Sequence, residues 1–487
     1  MVAGAIVALS LGAIYIYLQR QEARSQGGTG KSLVVLPFLN ASANTDMDYF
    51  SDGIAESLID NLSQIPELRV IARNTAFGYK GKEVDFQKLG RELSVDTVLT
   101  GRVQQRGETL IVHADLIKLG DRSQLWGERF SRKLTDLPGL EEDVAKMISD
   151  KLRPRLAAEV RQRLTKRPTE SSEAYELYLR GRYFWNKRTK ENLDKSIEYF
   201  KQAIQFDPKY ALAYAGLADA YTTLAWYALA PAKENYARAE ETALEALALD
   251  EEQAEAHAAL GFVKIVQWEW GKAEQEFKRS IALSPNYAVA HNWYGLLLHL
   301  IGRSTDAVAE FDRARQLDPA SPIYLLNRAM MSCLMGQYDQ GFAQIKETST
   351  LSPPNNGSLE LIGGECYLRK GLYQEAIEEL RHAMAINPAD SRISGSLGFA
   401  YARSGQRDRA VSILNELMQP VRRTDAAVAI AWIYVGLDDN ERALEWLEKA
   451  YQWHSPNLPR MRISGILEPL RSEPRFKDLV RRLGLPP

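Results

Sequence analysis

The first third of the sequence mixes short apolar runs with amphipathic stretches. The run Leu33–Phe38 contains β-branched residues and is interrupted only by Pro37, so it predicts a short buried strand. A helix is predicted next, with Ser51 or Asp52 as its N-cap. Its apolar residues recur at spacings of four, four and three, as one helix face requires: Ile54, Leu58, Leu62 and Ile65.

The pattern then continues through a mixed set of strands and helices. Arg69–Arg73 predicts a second strand, and Phe86, Leu89 and Leu93 mark a short helix. Three strands follow, separated by turns at 106–108 and 120–121. A last helix has Pro138 near its first position. Residues 33–165 are therefore predicted to form a small α+β domain.

The rest of the chain repeats itself. Four helix-ending prolines are spaced by 34, 34 and 35 residues: Pro285, Pro319, Pro353 and Pro388. Glu251 holds the same place one step earlier, and Pro208 lies 43 residues before Glu251. The excess predicts an insertion near 227–233. A 34-residue period is that of the tetratricopeptide repeat, a pair of antiparallel helices.

Small residues recur where the two helices of such a repeat touch. Glycine marks the first helices and alanine the second: Gly261, Gly295, Gly364 and Gly398, with Ala273, Ala307, Ala376 and Ala410. Small side chains are needed there because helix axes approach to about 8–10 Å. About eight repeats over 172–456 predict an all-α superhelix (solenoid), and 457–487 predicts a C-terminal capping helix.

The N-terminus differs from the rest. Residues 2–18 carry no charge and predict a transmembrane helix, with 19–32 as a linker. A signal peptide is the competing interpretation, but no basic residue precedes the apolar run. Only Met1 stands before it, which suggests that the original chain continued upstream. Taken alone, Arg20, Arg24 and Lys31 indicate a cytoplasmic side for the soluble part.

Charge and composition argue against several function classes. The chain has 487 residues, with 61 basic and 63 acidic ones, which does not indicate a nucleic-acid surface. Gly30–Ser32 resembles the end of a phosphate-binding loop, but Ser25 stands where the first glycine belongs. A strand also follows where that loop needs a helix, so we expect no nucleotide binding. We expect no catalytic residue, cofactor or small-molecule substrate.

Metal sites and disulfides are also not expected. Four acidic residues cluster near the first helix, but they break the calcium-loop pattern at Phe50: Asp46, Asp48, Asp52 and Glu56. Carboxylates at a helix start are explained by the helix dipole. The two cysteines, Cys333 and Cys366, lie at similar depth in adjacent repeats. We interpret them as small buried hydrophobic residues rather than a disulfide.

The α+β unit resembles the TolB amino-terminal-like domain, and the related FlgO-type domain has the same layout. The resemblance rests on VLPF, YFSDG, two hairpins and LWGERF in that order. It implies a bacterial, membrane-anchored protein, single-pass in the inner membrane, with an extracytoplasmic soluble part favoured. Such domains often follow a serine/threonine kinase, an adenylate cyclase or a winged-helix regulator. No catalytic residues are implied.

Tetratricopeptide resemblance implies peptide or protein binding along the first helices. Seven residues are candidates for the groove: Phe262, Ile265, Asn292, Leu296, Leu326, Met330 and Leu361. Several of them could instead be inter-repeat core. The sequence predicts that Phe262 and Leu296 tolerate charge because they line a surface. Two functions remain open: a membrane-tethered protein-binding scaffold, or the sensory arm of a larger protein in signal transduction.

Overall fold

The computed structural model describes residues 32–42, 47–133, 136–152, 158–164, 166–351, 356–420, 422 and 424–485. The transmembrane helix predicted at 2–18, most of the linker at 19–32 and Asp46 lie outside these ranges. Within them, no helix combines the length and apolar character that crossing a membrane requires.

A six-stranded mixed sheet forms the centre of the N-terminal domain. Its strands are β1 (Ser32–Val35), β2 (Leu39–Asn40), β3 (Arg69–Val70), β4 (Thr97–Arg106), β5 (Thr109–Lys118) and β6 (Gln124–Lys133). The order is β3-β1-β4-β5-β6, and β2 pairs with β4. β1 is parallel to its neighbours, whereas β4, β5 and β6 are antiparallel. The three predicted long strands are confirmed.

The described residues of this domain form five helices. They are α1 (Asp48–Ser63), α2 (Arg73–Phe77), α3 (Phe86–Leu93), α4 (Leu137–Leu152) and α5 (Ala158–Leu164). The predicted cap of α1 is wrong, because the helix begins one turn earlier, after Met47. The Ser51 hydroxyl instead donates to the Met47 carbonyl. The strand predicted at Arg69–Arg73 is also too long, since Arg73 begins α2.

Eight helical hairpins follow. The first four are α6 (Ser172–Trp185) with α7 (Lys190–Phe206), α8 (Ala211–Trp226) with α9 (Ala232–Leu249), α10 (Ala254–Val266) with α11 (Trp270–Leu283), and α12 (Ala288–Leu300) with α13 (Ser304–Leu317). The last four are α14 (Pro322–Leu334) with α15 (Tyr338–Ser349), α16 (Ser358–Lys370) with α17 (Tyr373–Ile386), α18 (Ser391–Arg403) with α19 (Arg407–Leu417), and α20 (Ala427–Gly436) with α21 (Asn440–Gln452). We number these hairpins as repeats 1 to 8.

Close contact between the two helices of a repeat explains the recurring glycines. A Cβ added at Gly295 in α12 would lie 2.8 Å from the Phe311 ring of α13. Phe311 itself is fully buried. A glycine in the first helix therefore makes room for the large side chain of the second, which keeps the helices of each hairpin near van der Waals contact.

The C-terminal segment does more than cover the last repeat. It forms two 3-10 helices, Leu458–Arg462 and Gly465–Leu470, and then α22 (Pro474–Arg482). The Trp270 indole N–H donates to the Leu483 carbonyl at 2.7 Å, so the segment contacts repeat 3 as well as repeat 8. The superhelix is closed on itself by this contact. The single capping helix expected for 457–487 is thus only its last part.

The N-terminal domain binds repeat 1 through a buried ion-pair network. The carboxylate of Glu56 in α1 accepts hydrogen bonds from Arg73 at 2.7 Å and from Arg182 in α6 at 2.8 Å. Asn186 donates to the same carboxylate. Glu56, one of the four acidic residues that resembled a cation site, therefore makes an interdomain contact. Among the described residues, no group of side chains is arranged to hold a metal ion.

A second contact holds the domain to the turns before repeats 4 and 5. The buried carboxylate of Asp318 accepts the Thr75 N–H at 2.9 Å, the Thr75 hydroxyl at 2.7 Å and the Asn74 amide at 2.9 Å. The Asn286 amide donates to the Leu68 carbonyl at 2.7 Å. The domain is thus fixed at several points along the superhelix.

The two cysteines form a disulfide, contrary to the sequence-based interpretation. Cys333 lies in α14 and Cys366 in α16, with their Cα atoms 5.5 Å apart. Their separation of 33 residues is close to one repeat, so they lie on adjacent first helices, Cys333 near the end of α14 and Cys366 nearer the middle of α16. The packing of these two helices brings the side chains into direct contact.

Candidate functional site

Three adjoining cavities lie on the inner side of the superhelix. The largest, which we call the central cavity, has a volume of about 670 Å³. The C-terminal cavity has about 400 Å³ and the His299 cavity about 310 Å³. Met330 and Arg460 line all three, so the cavities meet at these two side chains.

The central cavity is walled mainly by first helices. Residues of α6, α8, α10, α12, α14, α16 and α18 contribute, which are the first helices of repeats 1 to 7. The N-terminal domain adds Asn74, Gly78 and Lys82, and the C-terminal segment adds Arg460. The cavity is therefore enclosed by three parts of the chain that are far apart in sequence.

Six of the seven groove residues proposed from the sequence line the central cavity. They are Phe262, Asn292, Leu296, Leu326, Met330 and Leu361. Ile265 lines the His299 cavity, which also includes Phe262, Leu296 and Met330. The structure therefore brings the seven positions to one connected inner space.

The expectation that Phe262 and Leu296 line an exposed surface is wrong. Phe262 is 1% exposed and Leu296 is 9% exposed. The Phe262 ring lies 5.1 Å from that of Trp226 and 5.0 Å from that of Trp293, as part of an aromatic cluster. Met330 is the half-buried member of the group. These side chains form the cavity wall and the inter-repeat core at the same time.

A pair of asparagine amides projects among these apolar residues. The Asn327 amide N–H of α14 donates to the Asn292 carbonyl oxygen of α12 at 2.7 Å. Within the described chain, the Asn292 amide nitrogen and the Asn327 carbonyl oxygen have no other partner. Both residues line the central cavity, so the pair offers one donor and one acceptor there.

The charged residues around the central cavity are mostly basic. Among the described residues that line it, one is acidic, Glu365, and five are basic: Lys82, Lys187, Arg188, Arg392 and Arg460. Burial raises the pKa of Glu365, even though Arg460 and Arg392 oppose the shift. Such a lining favours an anionic ligand over a cationic one.

Most of these arginines already have partners. Arg392 donates hydrogen bonds to both carboxylate oxygens of Asp390. Burial disfavours its charge, but Asp390 outweighs burial and raises the pKa of Arg392. Arg188 donates to the Thr223 hydroxyl at 3.1 Å, and its guanidinium lies 3.5 Å from the Trp185 ring centroid.

Arg460 is the exception. In the part of the chain that the structure describes, its guanidinium makes no hydrogen bond and no ion pair within 4 Å. Burial, and next the nearby charge of Arg392, lower the pKa of Arg460 to about 10. The guanidinium carbon lies 5.3 Å from the centroid of the Trp226 ring. The charges of Glu365 and Asp390 oppose this lowering of the pKa, and a guanidinium with that pKa is still charged at pH 7. Arg460 is therefore a cation whose N–H groups are not hydrogen-bonded by any carboxylate of the described residues.

Sequence reasoning missed Arg460 because its element was read as a plain cap. Arg460 reaches the earlier repeats because the C-terminal segment folds back onto them. No local sequence pattern indicates this folding back. The basic residues of the lining were equally hidden, since each is one of many charged residues in amphipathic helices. Asn292 and Asn327 are separated by about one repeat, and this spacing was the one feature of the sequence that indicated two polar side chains close together in the cavity.

The chain is similar to parts of two curated proteins. The putative adenylate cyclase 3 of Rhizobium meliloti is 36% identical over 186 residues, which is 38% of this chain and 32% of that protein. The transcriptional regulator HilA of Salmonella typhimurium is 24% identical over 299 residues, 60% of this chain and 51% of that protein. The chain thus spans about a third to a half of their lengths.

A solved structure of Pseudomonas aeruginosa pilF is similar to part of the chain. It has 24% sequence identity and a TM-score of 0.32, and the match covers 41% of this chain and 90% of that one.

Family models match both halves of the chain. The second domain of HilA/YgeH-like transcriptional regulators matches residues 29–148, which differs from the TolB amino-terminal-like family that the motifs suggested. Tetratricopeptide repeat models match residues 186–210, 268–322, 367–429 and 424–454. The C-terminal region is therefore made of tetratricopeptide repeats, preceded by a small domain with strands and helices.

Proposed function

We propose that this chain is a non-catalytic scaffold that binds a short segment of a protein partner in the central cavity. The asparagine pair carries the proposal. A peptide group has one N–H and one C=O, and the pair leaves one acceptor and one donor toward the cavity. Apolar residues on the neighbouring helices, such as Leu296 and Leu326, would contact the side chains of the segment.

The size of the space supports a short segment. At about 670 Å³ the central cavity falls in the range of about 300–1,000 Å³ that is usual for preformed ligand sites. A standard interface of about 800 Å² per partner would need more room. The C-terminal segment and the N-terminal domain restrict the cavity, so a few extended residues fit better than a folded surface.

Selection from a displayed library of random peptides tests the proposal. We expect the full chain to enrich related sequences, and a Met330→Glu variant to lose at least about tenfold in affinity for them, because Met330 lines all three cavities. Met330 is half-buried, so this variant is expected to fold. Peptides that bind both proteins equally would show that the site lies elsewhere.

The second candidate is the sensory arm of a signalling protein. The similarity to the putative adenylate cyclase, 36% identity over 186 residues, favours it. In that case the bound segment would control a kinase, a cyclase or a winged-helix domain. The genomic sequence upstream of Met1 tests this candidate, since an in-frame domain of one of these classes would support it and a stop codon directly upstream would contradict it.

We further propose that residues 2–18 tether the protein to the bacterial inner membrane and that the domain is TolB-like. The charge-free run and the motif order support these two proposals. Deleting residues 1–24 should move the protein from the membrane fraction to the soluble fraction with its helicity retained. The measurement is fractionation followed by circular dichroism. A truncated protein that still sediments with membranes would contradict the tether.

A further inference from the structure

We propose that Arg460 forms a carboxylate subsite in the central cavity and selects partner segments that carry an acidic group. The inference rests on the proposed peptide-binding function and adds to it the chemistry of the segment. It places the selective contact on the C-terminal segment, outside the repeats.

The position of Arg460 is fixed by its neighbours. It lies in the 3-10 helix Leu458–Arg462, where Leu458 and Met461 are fully buried. Arg369 of α16 donates to the Ile463 carbonyl directly after this helix. The backbone on both sides is thus anchored, and the guanidinium reaches the point where the three cavities meet. A preorganised cation loses little entropy on binding.

Other basic groups around the central cavity are less suited to this role. Arg392 is engaged by Asp390, and Arg188 stacks on Trp185 and donates to Thr223. Lys82 and Lys187 are exposed. Among the described residues of the cavity, Arg460 therefore offers a guanidinium whose paired N–H groups are open for a carboxylate.

The surroundings favour a single negative charge. Glu365 lines the same cavity, and a doubly charged phosphate would be repelled by it more strongly than a carboxylate. The guanidinium of Arg392 also lies close to the Trp226 ring, 5.6 Å from its centroid, but Asp390 already neutralises that charge. One open guanidinium beside one acidic side chain thus matches a monoanion better than a dianion.

An unpartnered histidine beside this point also indicates a polar ligand. His299 is 4% exposed, lines the His299 cavity with Arg460, and neither ring nitrogen has a partner among the described residues. Burial, followed by the charges of Arg369, Arg460 and Arg462, lowers the pKa of His299 to about 3. The neutral ring keeps one donor and one acceptor next to the proposed subsite.

The test compares peptides selected from one displayed library by the full chain and by an Arg460→Gln variant. We expect an Asp or Glu at a fixed position in the first set and not in the second. Changing that residue to Asn or Gln should weaken binding to the wild type about tenfold or more, as expected for a hydrogen-bonded charge. The same change should alter binding to Arg460→Gln less than twofold.

A matched arginine variant, a conservative variant and amidated peptides serve as controls for the Arg460→Gln experiment. Arg403→Gln removes an arginine that pairs with Asp438 and lines only the C-terminal cavity, so it should keep the acidic preference. If Arg460→Gln does not fold, Arg460→Lys takes its place, with an expected loss of at least threefold for the acidic peptide. Amidated peptides distinguish a side-chain carboxylate from a C-terminal one, and either source supports the subsite.

Failure of the Arg460 subsite can be distinguished from failure of the proposed peptide-binding function. Peptides that depend on Met330 but lack an acidic group would overturn the Arg460 subsite and leave peptide binding intact. An acidic preference that is unchanged in Arg460→Gln would also overturn it. A library that yields no binder at all would instead overturn the proposed function.

Discussion

Replacing Glu56 with alanine should lower the free energy of unfolding by about 3–5 kcal/mol, as expected when one partner of a buried ion pair is removed. The side chain of Glu56 is 4% exposed and that of Arg182, which it contacts, is 9% exposed. Arg73 and Asn186 also lose their acceptor. Chemical denaturation of wild type and variant measures the loss.

A surface glutamate gives the matched control. Glu191 is exposed and pairs with Lys195 one helical turn later. Screening by solvent makes such a pair nearly irrelevant to stability, so Glu191→Ala should leave the free energy of unfolding almost unchanged. If Glu56→Ala costs no more than Glu191→Ala, the network does not hold the N-terminal domain to repeat 1.

The same network predicts the direction of an acid effect. Burial alone would raise the pKa of Glu56, but Arg182 and Arg73 outweigh it and lower the pKa below the ordinary 4.5. A carboxylate with a lowered folded-state pKa stabilises the protein above pH 4.5, and that contribution disappears as the pH falls through the folded-state value. The difference between wild type and Glu56→Ala should therefore shrink as the pH falls below 4.5.

Replacing Phe262 with glutamate should unfold the middle of the superhelix. Emptying a buried phenylalanine site costs about 3–5 kcal/mol. An unpaired carboxylate among Trp226, Tyr236 and Trp293 adds a further penalty for burying charge. We expect the melting transition followed by circular dichroism to broaden and to move down strongly.

Met330→Glu is the contrast for this prediction. Met330 lines the same cavity but is half-buried, so its variant should melt close to the wild type. A Phe262→Glu protein that melts normally would mean that the ring faces solvent. The inner wall would then be a free surface, as the sequence alone had suggested.

The sequence was sufficient wherever a local pattern decides the structure. The 34-residue period and the recurring glycines predicted the hairpins, because a glycine leaves room for a large side chain of the facing helix, as Gly295 does for Phe311. Leu110, Val112, Ala114 and Leu116 likewise alternate with more polar neighbours along β5, and the structure buries the face that they share. These features depend on neighbours one turn or one repeat away.

Features that depend on closure of the superhelix were not predictable. The Trp270–Leu483 contact joins residues 213 positions apart, and the Thr75–Asp318 contact joins residues 243 apart. Neither has a periodic signal. The burial of Phe262 has a different cause, since its ring is covered by Trp226 of repeat 2 and Trp293 of repeat 4, the two adjacent repeats. The seven groove candidates line the inner cavities, but they are mostly buried rather than exposed.

Amide hydrogen exchange with a saturating selected peptide tests the central claim most directly, namely that the central cavity is the binding site. We predict that protection increases in α12, α14 and Leu458–Arg462, because these elements carry Asn292, Asn327 and Arg460. The outer second helices should be unaffected. Protection confined to β4–β6 or to the second helices, with the cavity elements unchanged, would contradict the claim.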